Sequence, residues 1–168
     1  MIQPSFTILP LSAADEPLLA EMMYQAIFVP ADGIAPPRSV VEEPALRKYY
    51  GDFSSRAGDI GFKAVTGKDE LPIGAAWVRL FTSEAPSYGY IDDSTPELSI
   101  AVDPAYRGQG VGTLLLEQLF AAVAKAYNAI SLSVWTDNPA YRLYQRMGFT
   151  VVEAEEGKPD VTMRKVLR

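Results

Sequence analysis

The stretch Leu98–Thr113 reads Leu-Ser-Ile-Ala-Val-Asp-Pro-Ala-Tyr-Arg-Gly-Gln-Gly-Val-Gly-Thr and carries the most information about the fold. Alternating side chains predict a strand over Glu97–Val102, because a strand turns successive side chains to opposite faces. The Asp103-Pro104 pair predicts a turn after that strand. A helix is then expected to begin at about Gly112, so the stretch is a strand, a turn, a glycine-rich loop and a helix start.

Three glycines, Gly108, Gly110 and Gly112, lie in this loop behind Arg107. Glycines allow the backbone to approach a ligand closely and to adopt positive φ. The start of a helix offers unpaired N–H groups and the positive end of its dipole, which together bind phosphate. Because Arg107 can add a bidentate charged contact, the loop predicts a pyrophosphate cradle.

The glycine spacing weighs against two familiar nucleotide loops. A dinucleotide fingerprint, Gly-x-Gly-x-x-Gly counted from Gly108, would need a glycine where Thr113 stands. A Walker loop would end in Gly-Lys-Ser or Gly-Lys-Thr, and neither follows these glycines. A tight strand-to-helix turn without a ligand is the remaining alternative.

Outward from this stretch, strands and helices are expected to alternate along all 168 residues, with no internal repeat or linker. One α/β (α+β) domain over residues 1–168, built around a mixed sheet, is therefore predicted. The expected strands and helices outside Glu97–Val102 include strands at Phe6–Leu11, Ile60–Thr66, Ile73–Phe81, Ile130–Trp135, Thr150–Glu153 and Val161–Leu167, and helices at Thr113–Tyr127 and Pro139–Met147.

Two residue types are missing from the composition, and their absence restricts the chemistry. The chain has no Cys and no His. Thiol nucleophiles, Ser-His-Asp arrangements and nearly all zinc sites are therefore excluded, and no metal site is expected. Catalysis is left to Asp, Glu, Lys, Tyr, backbone groups or a bound cofactor.

The charge balance is acidic, with 15 Lys and Arg against 21 Asp and Glu. This balance disfavours broad contact with nucleic acid or anionic membranes and suits a small cationic partner. No run approaches the roughly 18 consecutive apolar residues of a membrane helix. Residues 1–7 show neither a basic start nor an apolar run, so no secretory leader and a cytoplasmic location are expected.

Two motifs resemble the signatures of one family. Arg107–Gly112 is similar to the acyl-CoA-binding motif Arg/Gln-x-x-Gly-x-Gly/Ala of the GNAT N-acetyltransferases. Asn138–Phe149 resembles the second signature of that family, Asn-x-x-Ala-x-x-Leu-Tyr-x-x-x-Gly-Phe, with one residue fewer after the Asn. Met163–Leu167 is typical of the final strand. The motifs have the order and separation found in the family.

The resemblance implies a single mixed, mostly antiparallel sheet of about seven strands, flanked by helices on both faces. Its fourth and fifth strands would splay apart and hold acetyl-CoA, the cosubstrate, in the gap. The pantetheine arm would pair with the fourth strand as an added strand does. The implied cofactor contacts are Ile100, Val102, Arg107, Gly108, Gln109, Gly110, Val111, Gly112, Thr113 and Asn138.

The resemblance also implies catalytic roles. An ammonium acceptor must lose a proton before it attacks the thioester, and the departing thiolate is helped by receiving one. Tyr144 would serve as the acid and Glu97 as the base, directly or through water. The N–H of Val102 would polarise the thioester carbonyl.

Several alternatives stay open at this point. Asp92, Asp93, Glu84 or water are rivals of Glu97 for the base role. Asn138 precedes Pro139 and can cap a helix instead of, or as well as, contacting the cofactor. Arg142 and Arg146 lie one helical turn apart and either reach a CoA phosphate or face solvent, and the solvent-facing position is the one expected.

The function implied is acetyl-CoA-dependent acetyl transfer, directly to a primary amine of a small molecule or peptide. A non-catalytic acyl-CoA-binding or sensing module of the same fold is the alternative. The acceptor amine and the length of the acyl donor are left open. Dimers are common in the family, so a homodimer is compatible with the resemblance.

Overall fold

Seven strands form one sheet in this computed structural model, which describes residues 5–168. Residues 1–4 lie outside the described part. The expectation of no secretory leader rests on residues 1–7, most of which are therefore not described. The strands are β1 (Phe6–Pro10), β2 (Ile60–Thr66), β3 (Leu71–Arg79), β4 (Glu97–Val102), β5 (Ala129–Trp135), β6 (Thr150–Ala154) and β7 (Asp160–Val166). Their order across the sheet is β1-β2-β3-β4-β5-β7-β6.

Neighbouring strands are antiparallel except β4 and β5, which are parallel. The predicted mixed, mostly antiparallel sheet of about seven strands is therefore confirmed. The helices are α1 (Glu16–Ala26), α2 (Pro44–Arg47), α3 (Val111–Val123) and α4 (Ala140–Arg146). No helix within residues 5–168 has both the length and the apolar character needed to cross a membrane.

Helices cover both faces of the sheet, as expected. On one face, Leu115, Leu116 and Leu119 of α3 are fully buried, in one cluster with Ile130 and Met163 of β5 and β7. Their spacing along the chain places them on one side of a helix. Full burial of each such side chain contributes ~1.5–3 kcal/mol to folding. This core holds α3 beneath the strands that form the site.

On the other face, α1 packs across β3 and β4. Leu19 and Met22 of α1 are buried with Trp77 and Ala101 of these strands. Side chains of β4 alternate accordingly, with Leu98 in the α3 core and Ala101 in the α1 core. The strand therefore presents one row of side chains to each core.

The predicted bounds of α3 are wrong at both ends. The helix begins at Val111, with Gly110 at φ +83° as its N-cap, and ends at Val123 instead of Tyr127. After Val123 the backbone tightens, because the N–H groups of Lys125 and Ala126 bond to carbonyls three residues back. The helix therefore starts within the glycine loop rather than after it.

The splay expected between the fourth and fifth strands is present. Glu97 and Ser131 are the one ladder pair between β4 and β5 within residues 5–168, and the Ser131 N–H donates to the Pro96 carbonyl at 3.0 Å. Beyond this pair the strands separate. The gap opens toward the C-terminal end of β4, where the chain turns into the glycine loop.

Candidate active site

A cleft of about 800 Å³ occupies this gap. It is bounded by β4, by the start of α3, by α4, and by the end of α1 with the loop that follows. The structure thus brings most of the predicted site residues together. Those lining the cleft are Ile100, Val102, Arg107, Gly108, Gly110, Val111, Gly112, Thr113, Asn138 and Tyr144.

The backbone of β4 has unpaired groups that face the gap. The Asp103 N–H donates to the Ile73 carbonyl at 2.8 Å, which makes these two residues a hydrogen-bonded pair. Because pair types alternate along an antiparallel ladder, Val102 and Ile100 are non-hydrogen-bonded positions relative to β3. Their N–H and C=O groups therefore point toward the missing stretch of β5.

Arg107 accounts for one of these groups. Its Nε donates to the Val102 carbonyl at 3.0 Å, which folds the side chain back onto the end of β4. The N–H of Val102 and both backbone groups of Ile100 are left facing the cleft. This is the pattern that an amide-bearing chain needs in order to add as a strand.

The glycine loop supplies a second set of donors. Within the described residues, no backbone carbonyl accepts the N–H groups of 108–113, and the first bond of α3 runs from Leu114 N–H to the Gly110 carbonyl at 3.1 Å. Gly108 and Gly110 adopt φ of +77° and +83°, which side-chain-bearing residues rarely do. The loop therefore wraps around a set of free amides at the positive end of α3.

Gly112 faces β4 from the first turn of α3. A Cβ at this position would lie 3.8 Å from Val102 Cγ2 and 3.9 Å from Ile100 Cδ1, which is ordinary contact. The position therefore has room for a methyl group, in agreement with the Gly/Ala alternative in the resembled motif. Gln109, by contrast, is exposed and does not line the cleft.

Asn138 both caps a helix and lines the cleft. Its Oδ1 accepts the Ala140 N–H at 2.9 Å, and its carbonyl accepts the Tyr141 N–H at 2.9 Å. These bonds satisfy donors at the start of α4. Asn138 is also part of the cleft wall, so the two roles considered for it are compatible.

Tyr144 projects from α4 into the cleft. It is 9% exposed and packs edge-to-face on Phe149 at 5.8 Å between ring centroids. Its hydroxyl makes no hydrogen bond to any of the described residues. Burial raises the pKa of Tyr144 to about 12. The hydroxyl is therefore protonated at neutral pH and free to donate.

Glu97 lies at the closed end of the splay and does not line the cleft. It is 3% exposed, and a Cβ at Gly89 would sit 2.1 Å from its Oε1, so the backbone of the 83–96 loop lies directly on the carboxyl group. Burial raises the pKa of Glu97 to about 7, although the Ser87 and Tyr49 hydroxyls, the Gly89 N–H and Lys48 favour the ionised form. A carboxyl group with this pKa exchanges protons at neutral pH.

The rivals for the base role lie elsewhere. Asp93 Oδ1 accepts the Ser83 N–H at 2.9 Å and the Tyr90 hydroxyl, while Asp92 Oδ1 accepts the Ser94 N–H at 2.9 Å. Both carboxylates are exposed and neither lines the cleft. Their hydrogen bonds stabilise turns within the loop.

A buried ion pair holds the segment that packs on Glu97. Arg79 of β3 pairs with Asp59 at 2.9 Å, and both side chains are almost completely buried. Arg79 Nη1 also donates to the carbonyls of Lys48 at 3.1 Å and Gly51 at 2.7 Å. The turn that carries Tyr49 is thereby fixed to the sheet. Tyr49 Oη in turn accepts the Tyr88 N–H at 2.8 Å and so fastens the 83–96 loop.

One wall of the cleft was not predicted residue by residue. It comes from the end of α1 and the loop after it. Arg142 and Arg146 are both exposed, as expected, and Arg146 also borders the cleft. No glycine or charge motif marks this wall, because it is built from apolar residues that also serve ordinary packing. Its members are Tyr24, Gln25, Ala26, Ile27, Phe28, Val29, Ala35 and Pro36.

Comparisons with known proteins agree with this geometry. A family model described as the acetyltransferase (GNAT) domain matches residues 64–151, which is more than half of the chain. The chain therefore belongs to the GNAT acetyltransferase family. The cosubstrate of this family is acetyl-CoA.

One curated protein matches a short segment of the chain. A segment of 52 residues is 52% identical to an uncharacterized protein of Mycobacterium leprae (strain TN), covering 30% of this chain and 14% of that protein. The chain thus matches a small part of the length of this curated relative.

Two solved structures share the fold. A GNAT-family acetyltransferase from Staphylococcus aureus Mu50 is 17% identical at a TM-score of 0.69, over 98% of this chain and 100% of that chain. The PaiA N-acetyltransferase from Thermoplasma acidophilum, solved with coenzyme A, is 19% identical at a TM-score of 0.65, over 96% and 99%. These likenesses show that the overall fold is shared.

Proposed function

We propose that this chain is an acetyl-CoA-dependent N-acetyltransferase that transfers an acetyl group directly to a primary amine. The observation that carries the proposal is the combination of free β4 backbone groups, free loop amides and the unbonded Tyr144 hydroxyl around one cleft. These three features correspond to the amide-bearing arm, the pyrophosphate and the thioester of acetyl-CoA. The family and the absence of Cys and His support direct transfer without a covalent enzyme intermediate.

The donor is held mainly by backbone. The Ile100 N–H and C=O and the Val102 N–H bind the amides of the arm, and the Val102 N–H lies where it can polarise the thioester carbonyl. The amides of 108–113 and the free guanidinium nitrogens of Arg107 bind the pyrophosphate.

Two side chains handle the protons. The acceptor ammonium first gives one proton to Glu97, and the neutral amine then attacks, so that the C–N bond forms as the C–S bond breaks. The Tyr144 hydroxyl donates a hydrogen bond to the departing thiolate, and the second nitrogen proton passes through solvent to that sulfur. Because Glu97 does not line the cleft, its proton route runs through a water molecule. Since a thiol has a pKa of ~8.5, full proton transfer from a phenol of pKa about 12 is uphill by ~5 kcal/mol. Tyr144 therefore acts chiefly by hydrogen-bonding the developing thiolate.

The alternative is a module that binds acyl-CoA without catalysis. Such a module has no use for a tyrosine hydroxyl that faces the cleft without a protein partner. The position of Tyr144 in the cleft wall is the observation that favours the enzyme.

Calorimetric titration with acetyl-CoA tests the donor site. We expect micromolar binding, a loss of about tenfold to a hundredfold for Arg107→Ala, and a larger loss for Gly110→Asp. Gly67→Asp is the matched control, because Gly67 has a similar φ of +78° and equally open surroundings but lies in the β2–β3 turn. Absence of binding by folded wild-type protein, or equal weakening by the Gly67 variant, would contradict the proposal.

A further inference from the structure

Two aromatic rings connect the sides of the splay. Phe28 follows α1, which packs on β4, whereas Trp135 ends β5. Their centroids are 5.7 Å apart and their planes meet at 62°, an edge-to-face contact. Phe28 lines the cleft and Trp135 is 37% exposed. The contact therefore joins a residue of the cleft wall to the exposed end of β5, where β4 and β5 are apart.

The face on which this pair lies also carries Glu97. In β5, Leu132 and Val134 belong to the α3 core, so the alternating residues Ser131, Ser133 and Trp135 face the α1 side. Glu97 pairs with Ser131 in the ladder and its side chain shares that face. One face of the splay thus has Glu97 at its closed end and Trp135 at its open end.

The two ends differ in polarity. Glu97 Oε2 and Ser131 Oγ are buried and have no hydrogen-bond partner among the described residues. Buried oxygens of this kind favour a ligand or water that donates hydrogen bonds. The open end offers aromatic ring surface instead. The closed end therefore suits a water molecule that carries protons to Glu97, and the open end is the part of this face that can contact an acceptor.

Charge at the open end favours a cation. Asp160 stands directly opposite Trp135 in the β5–β7 ladder, and Glu153 lies on the next strand. Neither carboxylate forms a salt bridge with any of residues 5–168, while Lys158 of the connecting turn is paired with Glu155 at 2.8 Å. The entrance is therefore negative and attracts an ammonium group.

We propose that Phe28 and Trp135 determine acceptor specificity and that the acceptor is a primary amine bearing an aromatic group. This inference rests on the proposed function and adds the substrate class. The ammonium enters first, toward the thioester in the cleft, and the aromatic group takes the place of one ring of the Phe28–Trp135 contact. Aromatic rings in such contacts favour edge-to-face or offset stacking, so a flat ring fits better than a linear alkyl chain.

Tryptophan fluorescence tests the binding step without turnover. The chain has two tryptophans, and Trp77 is 0% exposed, so acrylamide quenching reports chiefly on Trp135. In the presence of CoA, 2-phenylethylamine should lower the quenching constant by about twofold, and n-butylamine at the same concentration should not. Equal effects of both amines, or no effect of either, would overturn the inference.

Steady-state kinetics test the specificity. Phe28→Ala and Trp135→Ala should each lower kcat/KM for 2-phenylethylamine about tenfold, and that for n-butylamine less than twofold. Trp135→Phe should restore the preference, since it keeps a ring. Ile34→Ala is the matched control, because Ile34 is 94% exposed on the same loop as Phe28 and outside the cleft wall.

The outcomes separate this inference from the proposed function. One outcome is that acetyl-CoA binds and n-butylamine is acetylated while the Phe28 and Trp135 variants keep the wild-type preference. That result would overturn the proposed aromatic specificity and leave the proposed acetyltransferase activity supported. If acetyl-CoA does not bind, the proposed function fails. Selective protection of Trp135 by 2-phenylethylamine in the apo protein would then still support the aromatic entrance.

Discussion

Glu97 and Ser131 are the last residues at which β4 and β5 run together, and the splay opens from this pair. The pair is also where the sheet buries a carboxyl group under a glycine. The Glu97–Ser131 pair therefore marks both where the cleft begins and where the Glu97 carboxyl group is buried. The first predictions concern that acid.

Replacing the acid should change how the rate depends on pH. Because the pKa of Glu97 is raised to about 7, the wild-type rate should rise with pH through that value as the carboxyl group ionises. Glu97→Gln should lower kcat by ~10²-fold or more and remove this limb of the profile. Asp93→Asn, which alters the rival carboxylate, should stay within twofold of wild type. A Gln variant that keeps the limb would exclude Glu97 as the base.

The same replacement should change how stability depends on pH. The folded pKa lies above the unfolded value of 4.5, so unfolding releases a proton between these values and the free energy of unfolding falls as pH rises from 4.5 to 7. The fall attributable to Glu97 is ~3 kcal/mol. Urea unfolding should show the wild-type minus Glu97→Gln difference declining by this order over that range. A difference curve that is flat, or that rises with pH, would contradict the burial assigned to Glu97.

Removing the hydroxyl of Tyr144 should affect chemistry more than binding. Tyr144→Phe deletes one oxygen and keeps the ring against Phe149. We expect kcat to fall ~10²-fold while acetyl-CoA affinity stays within about threefold. Tyr141→Phe, on the same helix but outside the cleft wall, is the control. Unchanged turnover in the Tyr144 variant would exclude its role as hydrogen-bond donor to the thiolate.

Two glycine substitutions should have opposite effects on stability. Gly89→Ala would place Cβ 2.7 Å from the Leu132 carbonyl carbon, as well as against Glu97, and should lower the free energy of unfolding by ~1–3 kcal/mol. Gly112→Ala meets only ordinary contacts in a helix and should raise it by ~0.5–1 kcal/mol with acetyl-CoA binding retained. Thermal or urea unfolding measures both. Tolerance of Gly89→Ala would show that the 83–96 loop does not press on Glu97.

The donor side of the cleft was predictable because its signals are local. Arg107, Gly108, Gly110 and Gly112 specify a loop and a helix start within a few residues, and the structure forms both there. The predicted start of α3, at Gly112 or Thr113, is one to two residues late, since sequence spacing does not reveal that Gly110 itself is the αL cap. The order of strands and helices followed from periodicity and from the resemblance.

The surroundings of Glu97 and of the Phe28–Trp135 contact could not be predicted from the sequence as the glycine loop could. The burial of Glu97 depends on Gly89, on Tyr49 and on an ion pair between Arg79 and Asp59, all distant in sequence. Phe28 meets Trp135 only because α1 crosses β4 where β5 has separated. Contacts of this kind arise from tertiary packing, and a single sequence carries no marker for them.

The unpaired edge of β4 has a consequence for how such a protein changes over time. Its contribution to the donor comes from main-chain atoms, which every residue type but proline supplies in full. Substitutions of Ser99 and Ala101, whose side chains are buried on the α1 side, would leave these main-chain groups in place. Retention of the acyl donor along this edge is thereby independent of side-chain identity, and a proline at Ile100 or Val102 is the substitution that would remove an N–H facing the cleft.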